Sequence, residues 1–276
     1  VNSAMGDTCA LARRLLIGIK AMTAATPEKH RPSLWQRAAQ VLGHWPSQCL
    51  VCRSWPSDWI CTACASVCWQ PGLRRCSRCA LPLPASTEVC AGCLRDAPLL
   101  QRCHAAVDYS PPWDALVLRL KFHQQLAWAN RMAQLLLHTP GVLASLQQAS
   151  VILPVPLSAA RMRERGYNQA LLLAKALRHQ APASLRLATV QPRYLQRLVD
   201  TPAQAGLGRA ARLRNLRHAF ALRPGLQAQD LGACPLLIDD VMTTGATLGA
   251  VAQLLQAQGA PAVQALVFAR TPAPGQ

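Results

Sequence analysis

The sequence predicts an α/β protein, in which a parallel sheet flanked by helices follows a small cysteine-rich segment. From residue 104 to residue 270, apolar runs of strand length alternate with longer stretches of helical spacing. Strands that alternate with helices are typical of a parallel sheet with right-handed crossovers. Ten of the twelve cysteines lie between residues 49 and 103. The chain has 276 residues, of which 51% are hydrophobic, so it can bury a substantial core.

The predicted elements follow one another in a regular order. Short apolar runs predict strands at residues 104–109, 150–156, 218–222, 234–240 and 263–270. Apolar residues at helical spacing predict helices at residues 113–122, 126–138, 167–180 and 246–259. Three regions are therefore expected: a weakly ordered N-terminal extension over residues 1–48, a metal-binding segment over residues 49–103 and a sheet domain over residues 104–276.

The chain is strongly basic, with 29 Lys and Arg against 12 Asp and Glu and a formal net charge of +17. Such a surplus suits anionic partners, but an Arg-rich composition bias explains it equally well, so charge alone does not decide function. No apolar stretch is long and uninterrupted enough for a transmembrane helix or a signal peptide. We therefore expect a cytoplasmic protein whose cysteines bind metal rather than form disulfides.

Four Cys-x-x-Cys pairs occupy the cysteine-rich segment. Two such pairs complete one tetrahedral, all-thiolate zinc site, so eight cysteines predict two structural zinc ions in a double zinc ribbon. Sequential use of the pairs closes short loops, while an interleaved arrangement remains open. A redox motif of the thioredoxin type is the rival interpretation, but such motifs occur singly. The predicted ligands are Cys49, Cys52, Cys61, Cys64, Cys76, Cys79, Cys90 and Cys93.

The stretch "LLIDDVMTTGATL" at residues 236–248 combines carboxylates with a small-residue loop. Asp239 and Asp240 end an apolar strand, at the sheet edge where ligands of α/β proteins bind. Residues 243–247 form a turn into a helix, where backbone N–H groups bind anions. Carboxylates repel phosphate, so the two aspartates are expected to face hydroxyl groups. A sugar with vicinal hydroxyls and a phosphate at one end fits both halves.

This stretch resembles the ribose-5-phosphate binding motif of type I phosphoribosyltransferases, which implies their fold for the sheet domain. On that resemblance, Asp239 and Asp240 bind the ribose 2′- and 3′-hydroxyls of phosphoribosyl pyrophosphate, with Mg²⁺ as the accompanying cation. Pro235, at the head of the apolar run, departs from the motif and concerns only how the strand begins. The residues expected around the 5′-phosphate are Thr243, Thr244, Gly245, Ala246 and Thr247.

The resemblance extends over residues 49–270 to the ComF family, a competence-associated group similar to phosphoribosyltransferases. It rests on "ILPVPLSAARMRERGYNQALLLAKAL", on "RLVDTPAQAGLGRAARLRNLRHAFAL" and on the paired cysteine motifs. The stretch "LKFHQQ" departs from the family, which has a glycine soon after the Lys-aromatic pair. Two further elements are expected, a pyrophosphate loop and a mobile flap, and the alternative for the flap is a solvated basic helix. The candidate residues are Pro156, Leu157, Arg161, Arg163, Arg165, Asn168, Gln169, Thr201, Gln204 and Arg212.

Functions of different kinds remain open from the sequence. One is an enzyme that transfers a phosphoribosyl group, although the sequence identifies neither a general base nor an acceptor. Another is a non-catalytic module that handles single-stranded DNA with other DNA-uptake proteins and uses the pocket as a sensor or structural site. A third is a zinc scaffold for a partner protein. Five tryptophans in the first quarter of the chain either stack on bases or fill the small core of a zinc ribbon, and we favour the core role. They are Trp35, Trp45, Trp55, Trp59 and Trp69.

Overall fold

The computed structural model describes residues 47–84, 86–122, 125–199 and 218–273. The described residues from Gln48 onward belong to one compact unit. The expectation of a weakly ordered extension over residues 1–48 falls almost entirely outside the described residues, and so do the three flap candidates Thr201, Gln204 and Arg212.

Four parallel strands form the central sheet, in the spatial order β1-β6-β5-β2. They are β1 (Arg102–Asp108), β2 (Val151–Pro154), β5 (Pro235–Met242) and β6 (Gln264–Arg270). The predicted α/β fold class is confirmed. The strand predicted at residues 218–222 exists, but it is not part of this sheet, because β4 (Phe220–Leu222) pairs antiparallel with β3 (Leu195–Arg197). The three residues of β3 are too few to show a periodicity in the sequence.

Nine helices are described, and the four that the sequence predicts are among them. In chain order they are α1 (Thr62–Cys68), α2 (Ala91–Arg95), α3 (Trp113–Phe122), α4 (Trp128–Leu137), α5 (Val142–Gln148), α6 (Ala159–Arg165), α7 (Gln169–Gln180), α8 (Ala228–Leu231) and α9 (Ala246–Ala257). Within the described ranges, none of these helices combines the length and the apolar character that crossing a membrane requires.

The sheet has a separate hydrophobic core on each face, because side chains of a strand alternate between the two faces. Leu237 of β5 and Val267 of β6 belong to one core, which also contains apolar residues of α9. Their neighbours Ile238 and Leu266 belong to the other core, together with apolar residues of α3, α4 and α7. This alternation gives a three-layer architecture, with helices on both faces of a buried parallel sheet.

The cysteine-rich segment covers the edge of the sheet at β1. The amide of Cys103 in β1 donates to the carbonyl of Ser77 at 2.8 Å. Arg75 Nη1 forms an ion pair with Asp108 Oδ1, at the end of the same strand, at 2.7 Å. An uncovered edge strand leaves backbone groups open to pairing with other chains. The segment therefore protects β1 and is held against the sheet by both backbone and side-chain contacts.

Candidate functional site

The structure resolves the pairing of the eight cysteines. Four sulfurs lie within 4.8 Å of one another in each of two groups, which use the Cys-x-x-Cys pairs sequentially, as the shorter-loop alternative predicts. The first cluster consists of Cys49, Cys52, Cys61 and Cys64, and the second cluster consists of Cys76, Cys79, Cys90 and Cys93. The interleaved alternative is wrong for this chain.

The two clusters repeat one local construction. Cys61 and Cys90 are the N-cap residues of α1 and α2, and each sulfur accepts the backbone N–H three residues later at 3.4 Å. The amides of Cys61 and Cys90 donate in turn to the sulfurs of Cys49 and Cys76, at 3.4 and 3.3 Å. These hydrogen bonds hold the thiols in place at the start of a short helix, and amide donors favour the thiolate form that binds metal.

The sulfur geometry fits a tetrahedral metal ion. A Zn–S bond of 2.3 Å places neighbouring sulfurs of a tetrahedron about 3.8 Å apart. Cys52 Sγ lies 3.7 Å from Cys61 Sγ, and Cys79 Sγ lies 3.6 Å from Cys90 Sγ. Four thiolates with no open position suit a structural metal ion rather than a catalytic one.

The carboxyl ends of β2 and β5 bring two candidate segments side by side. The two strands pair in parallel, with Pro154 opposite Ile238. Beyond that point the amide of Val155 donates to the carbonyl of Ile238 at 2.9 Å. The predicted pyrophosphate loop, from Pro156 and Leu157 onward, therefore leaves the sheet beside the segment that contains the aspartate pair. This is the edge at which open α/β sheets bind ligands.

The threonine-rich loop leads directly into helix α9. Gly245 is the N-cap residue and has a left-handed backbone with φ of 78°. A Cβ at this position would approach Met242 Cε to 2.5 Å, so both the backbone conformation and the packing require glycine. Thr244 Oγ1 accepts from the amide of Ala246 at 3.4 Å. Thr243 is exposed and Thr247 is half-buried. The loop thus combines hydroxyl groups with the free N–H groups of a helix N-terminus.

The aspartate pair lies within β5 rather than on a loop. Asp240 is only 4% exposed, and its Oδ2 forms an ion pair with Lys121 Nζ at 3.1 Å. Burial raises the pKa of the half-buried Asp239 to about 8, and the neighbouring Asp240 carboxylate raises it further. Two adjacent carboxyl groups in a poorly solvated place cannot both ionise easily. The pKa of Asp239 is therefore held well above the usual range of an aspartate, beside the ion pair of Asp240 with Lys121.

Lys121 is a further candidate residue, which the sequence pattern did not reveal. It lies near the end of α3, which is fixed against the neighbouring loop by a hydrogen bond from the Tyr167 hydroxyl to the carbonyl of Leu120. In addition, the Arg165 guanidinium lies 4.9 Å from the ring centroid of Phe122. The sequence contains one hint of a special role for Lys121: it is one of only four lysines in an arginine-rich chain.

The predicted pyrophosphate-loop residues do not all face the same way. Arg161 and Arg165 stand four residues apart on α6 and share a face, whereas Arg163 is exposed on another side. Asn168 caps α7 by accepting from the amide of Leu171 at 3.2 Å, and its Nδ2 donates to the Val155 carbonyl at 2.9 Å. Capping of α7 is thus the role that the structure shows for Asn168.

Gln169, at the start of α7, is 4% exposed. Its Oε1 is buried and accepts no hydrogen bond from the residues that the structure describes. A buried polar atom without a partner is uncommon in a folded protein.

The tryptophans separate into packed and exposed rings. Trp59 is 8% exposed and makes edge-to-face contacts with Trp113 and Trp128, with centroids 6.5 and 6.2 Å apart. Trp69 makes a similar contact with His138 at 5.9 Å. Trp55 is 62% exposed. Trp59 is therefore packed, but against helices of the sheet domain rather than inside a ribbon core, and Trp55 is not packed. Trp35 and Trp45 lie outside the described residues.

Comparison with known proteins relates most of the chain to curated relatives. The chain is 35% identical to the "DNA utilization protein YhgH" of Salmonella typhimurium over 235 residues, which cover 82% of this chain and 98% of that protein. It is 33% identical to the protein of the same name from Escherichia coli K12 over 242 residues, or 85% of this chain and 95% of that one.

A third relative is the "Competence protein F" of Haemophilus influenzae, which is 31% identical over 199 residues, or 71% of this chain and 84% of that protein. No protein-family model matches the chain. Identity above 30% over most of both chains is nevertheless sufficient to assign a family, and the paired cysteine motifs and the α/β sheet fit the same assignment. The chain belongs to the ComF family.

Proposed function

We propose that this protein binds phosphoribosyl pyrophosphate with Mg²⁺ at the carboxyl ends of β2 and β5 and takes part in DNA utilisation or uptake. The single observation that carries the ligand proposal is the adjacency of the aspartate pair, the threonine-rich loop and the loop after β2 at one sheet edge. The biological role is supported by the names of the relatives, which refer to DNA utilization and to competence. We place the protein in the cytoplasm, where thiols stay reduced and available for metal.

The proposed binding mode assigns each half of the ligand to different groups. The N–H groups of residues 243–247 and the helix terminus of α9 would receive the 5′-phosphate. Asp239 and Asp240 would accept hydrogen bonds from the two ribose hydroxyls. The diphosphate would lie against the loop after β2, with Arg161 and Arg165 as candidates for bidentate contacts. Lys121 adds a positive charge beside Asp240, at 3.1 Å, in a site whose ligand is strongly anionic.

Such an arrangement suits phosphoribosyl transfer to a nucleophilic acceptor. The bond between the ribose C1′ and the diphosphate oxygen breaks, a bond from C1′ to the acceptor forms, and the diphosphate leaves. Mg²⁺ would neutralise part of the charge on the leaving diphosphate. The protein would contribute by holding the ribose in a fixed orientation and by placing guanidinium groups where the leaving charge develops.

We further propose that both cysteine clusters hold zinc. The sulfur separations match a tetrahedral site, and four thiolates select a soft or borderline metal over Mg²⁺ or Ca²⁺. The zinc ions would stabilise the fold of residues 49–103 without entering the reaction. Metal analysis of the purified chain should find two zinc ions per protein, and a single zinc per chain would contradict this assignment.

The first test is calorimetric titration of the zinc-loaded protein with phosphoribosyl pyrophosphate in the presence of Mg²⁺. The double variant Asp239→Asn/Asp240→Asn should weaken binding by at least roughly 100-fold, because it removes charge-assisted hydrogen bonds to the ribose. Asp96→Asn, which alters a carboxylate in the cysteine-rich segment, is the matched control and should bind like the wild type. If the folded wild type does not bind the ligand, the proposal is wrong.

A second candidate function is the handling of single-stranded DNA by the cysteine-rich segment. The observation that favours it is the exposure of the Trp55 ring, which is 62% accessible while the ring of Trp59 is packed in the core. Exposed aromatic rings stack on bases without sequence preference. Binding of a labelled oligo-dT should then weaken in Trp55→Ala, be retained in Trp55→Phe and fall with added salt. Equal binding by all three proteins would remove this role from Trp55.

A further inference from the structure

Arg270 ends β6 with a guanidinium that joins two regions distant in sequence. The residue is 6% exposed. Its Nε donates to the carbonyl of Cys79, a ligand residue of the second cluster, at 2.8 Å. Its Nη1 donates to the carbonyls of Met242, at 3.1 Å, and of Thr243 and Thr271. One side chain therefore spans from the second cluster to the first residue of the threonine-rich loop.

Arg270 has no carboxylate partner among the described residues. The two ion pairs found there are Arg75 with Asp108 and Lys121 with Asp240. A charge buried without a countercharge is costly. Four thiolates around one divalent metal ion carry a net charge of minus two, and Cys79 is one of the four. The metal-loaded second cluster is thus the available source of countercharge for Arg270.

The threonine-rich loop is packed on the residue that Arg270 holds. Met242 belongs to the same buried core as Cys76 and Cys79, and its Sδ lies 3.7 Å from Cys103 Sγ. The side chain of Met242 also lies directly under Gly245, where even a Cβ would come within 2.5 Å of it. A shift of the Met242 backbone would therefore move the turn that begins helix α9.

We infer that Arg270 is a positioning residue that couples metal binding in the second cluster to the conformation of the loop at residues 243–247. It acts through the carbonyls of Met242 and Thr243, whose directions determine where the following N–H groups point. When metal is present, the charge of Arg270 is balanced by the metal-thiolate cluster. The loop is then held in the conformation that receives a phosphate. When metal is lost, the guanidinium loses its countercharge and the loop loosens. The consequence for ligand affinity rests on the proposed function, but the effect on the loop does not.

The chain offers a matched pair of variants, because Cys61 and Cys90 occupy equivalent places in the two clusters. Both are half-buried, and both cap a short helix. Serine also caps helices well, so Cys61→Ser and Cys90→Ser each remove one metal ligand while the cap is kept. Only the second cluster contacts Arg270 in the described structure.

Hydrogen exchange measured by mass spectrometry on the full chain tests the coupling without any ligand. In Cys90→Ser, the amides of residues 243–249 should exchange at least roughly tenfold faster than in the wild type, whereas Cys61→Ser should leave them unchanged. Protection of α7 reports that each variant is folded. No acceleration in Cys90→Ser, or an equal acceleration in both variants, would overturn the inference. Should Cys90→Ser not fold, stepwise removal of metal from the wild type with a chelator gives the same measurement.

Variants of Arg270 separate its role from a general loss of packing. In Arg270→Gln, loop exchange should be fast with and without metal, so metal removal should no longer change it. Arg270→Lys keeps the charge and should restore part of the metal dependence. If metal removal accelerates loop exchange in Arg270→Gln as much as in the wild type, the coupling follows another route and the inference is wrong.

Affinity for phosphoribosyl pyrophosphate provides the second readout. It should fall about tenfold in metal-loaded Arg270→Gln and in Cys90→Ser, while Cys61→Ser keeps the wild-type value. Absence of binding by the wild type would count against the proposed function alone, and the exchange experiment would still decide the coupling.

Discussion

The two cysteine clusters share one local construction but lie in different surroundings. Residues that flank the first cluster, including Trp59, pack with α3, α4 and α7 on one face of the sheet. Cys76, Cys79 and Cys93 of the second cluster pack with α9 on the opposite face. Cys52 of the first cluster is exposed, whereas three of the four cysteines in the second are buried. The same four-cysteine pattern therefore serves two separate layers of the fold.

The clusters also connect to different halves of the candidate site. The first cluster connects through packing, because Trp59 contacts Trp113 and the indole of Trp113 donates to the carbonyl of Cys68 at 2.9 Å. Helix α3 then spans about 12 Å from Trp113 to Lys121, which contacts Asp240. The second cluster connects directly, by the hydrogen bonds of Arg270. The first connection contains one hydrogen bond, to a residue that is not a ligand, and otherwise depends on non-directional packing. Arg270 instead donates hydrogen bonds both to Cys79 and to the loop, so the second cluster is expected to control the geometry of the site more strongly.

The largest effect is expected from Cys76→Ser. Cys49→Ser is the matched comparison, because both cysteines are fully buried. Cys76→Ser should lower the free energy of unfolding of the whole unit by roughly 3–5 kcal/mol, since metal loss there opens the core beneath α9. Cys49→Ser should mainly disorder its own ribbon. Thermal unfolding followed by circular dichroism measures the difference. Equal losses in both variants would show that the clusters contribute alike.

Next in size is the effect of Lys121→Met, which leaves Asp240 buried without its partner. The two side chains are 19% and 5% exposed, so the loss should be roughly 2–4 kcal/mol at neutral pH. Lys121→Arg keeps the charge and should lose much less. Chemical denaturation measures both values. A loss of similar size in the two variants would mean that the fit of the lysine head group, and not its charge, is the dominant contribution.

A smaller effect is expected from Trp113→Phe, which removes the hydrogen bond to the Cys68 carbonyl and leaves space in the core. We expect a loss of about 1–3 kcal/mol and faster release of metal from the first cluster only. Trp69→Phe is the control, because the buried Nε1 of Trp69 makes no hydrogen bond within the described ranges. Faster metal release from both clusters in Trp113→Phe would contradict the separation of the two faces.

The smallest effect concerns the pH dependence caused by Asp239, because solvent screens its partly exposed side chain and reduces the contribution to stability. The folded protein keeps this carboxyl protonated up to a pKa of about 8, while an unfolded aspartate ionises near 3.8. Between these values the unfolded state binds fewer protons, so the stability of the protein should fall as the pH rises. Asp239→Asn cannot ionise and should therefore gain stability relative to the wild type from about pH 5 to about pH 8. Parallel pH profiles for the two proteins would show that the Asp239 pKa is not raised.

The sequence by itself determined the parts that depend on local spacing. A two-residue spacer places two sulfurs within reach of one metal ion, and the period of apolar residues distinguishes strands from helices. The four parallel strands, the four long helices and the turn with Gly245 follow from such patterns. Even the order of the cysteine pairs was among the alternatives that spacing allowed.

The tertiary structure alone decided which distant groups meet. Arg270 and Cys79 are 191 residues apart, and no periodicity relates them. Lys121 reaches Asp240 only because α3 shares a hydrophobic core with β5 and is fixed by Tyr167. The placement of the clusters on opposite faces follows in the same way from the packing of layers. A local pattern determines an element and the side it buries, but contacts between elements depend on the simultaneous packing of all layers, which no single stretch encodes.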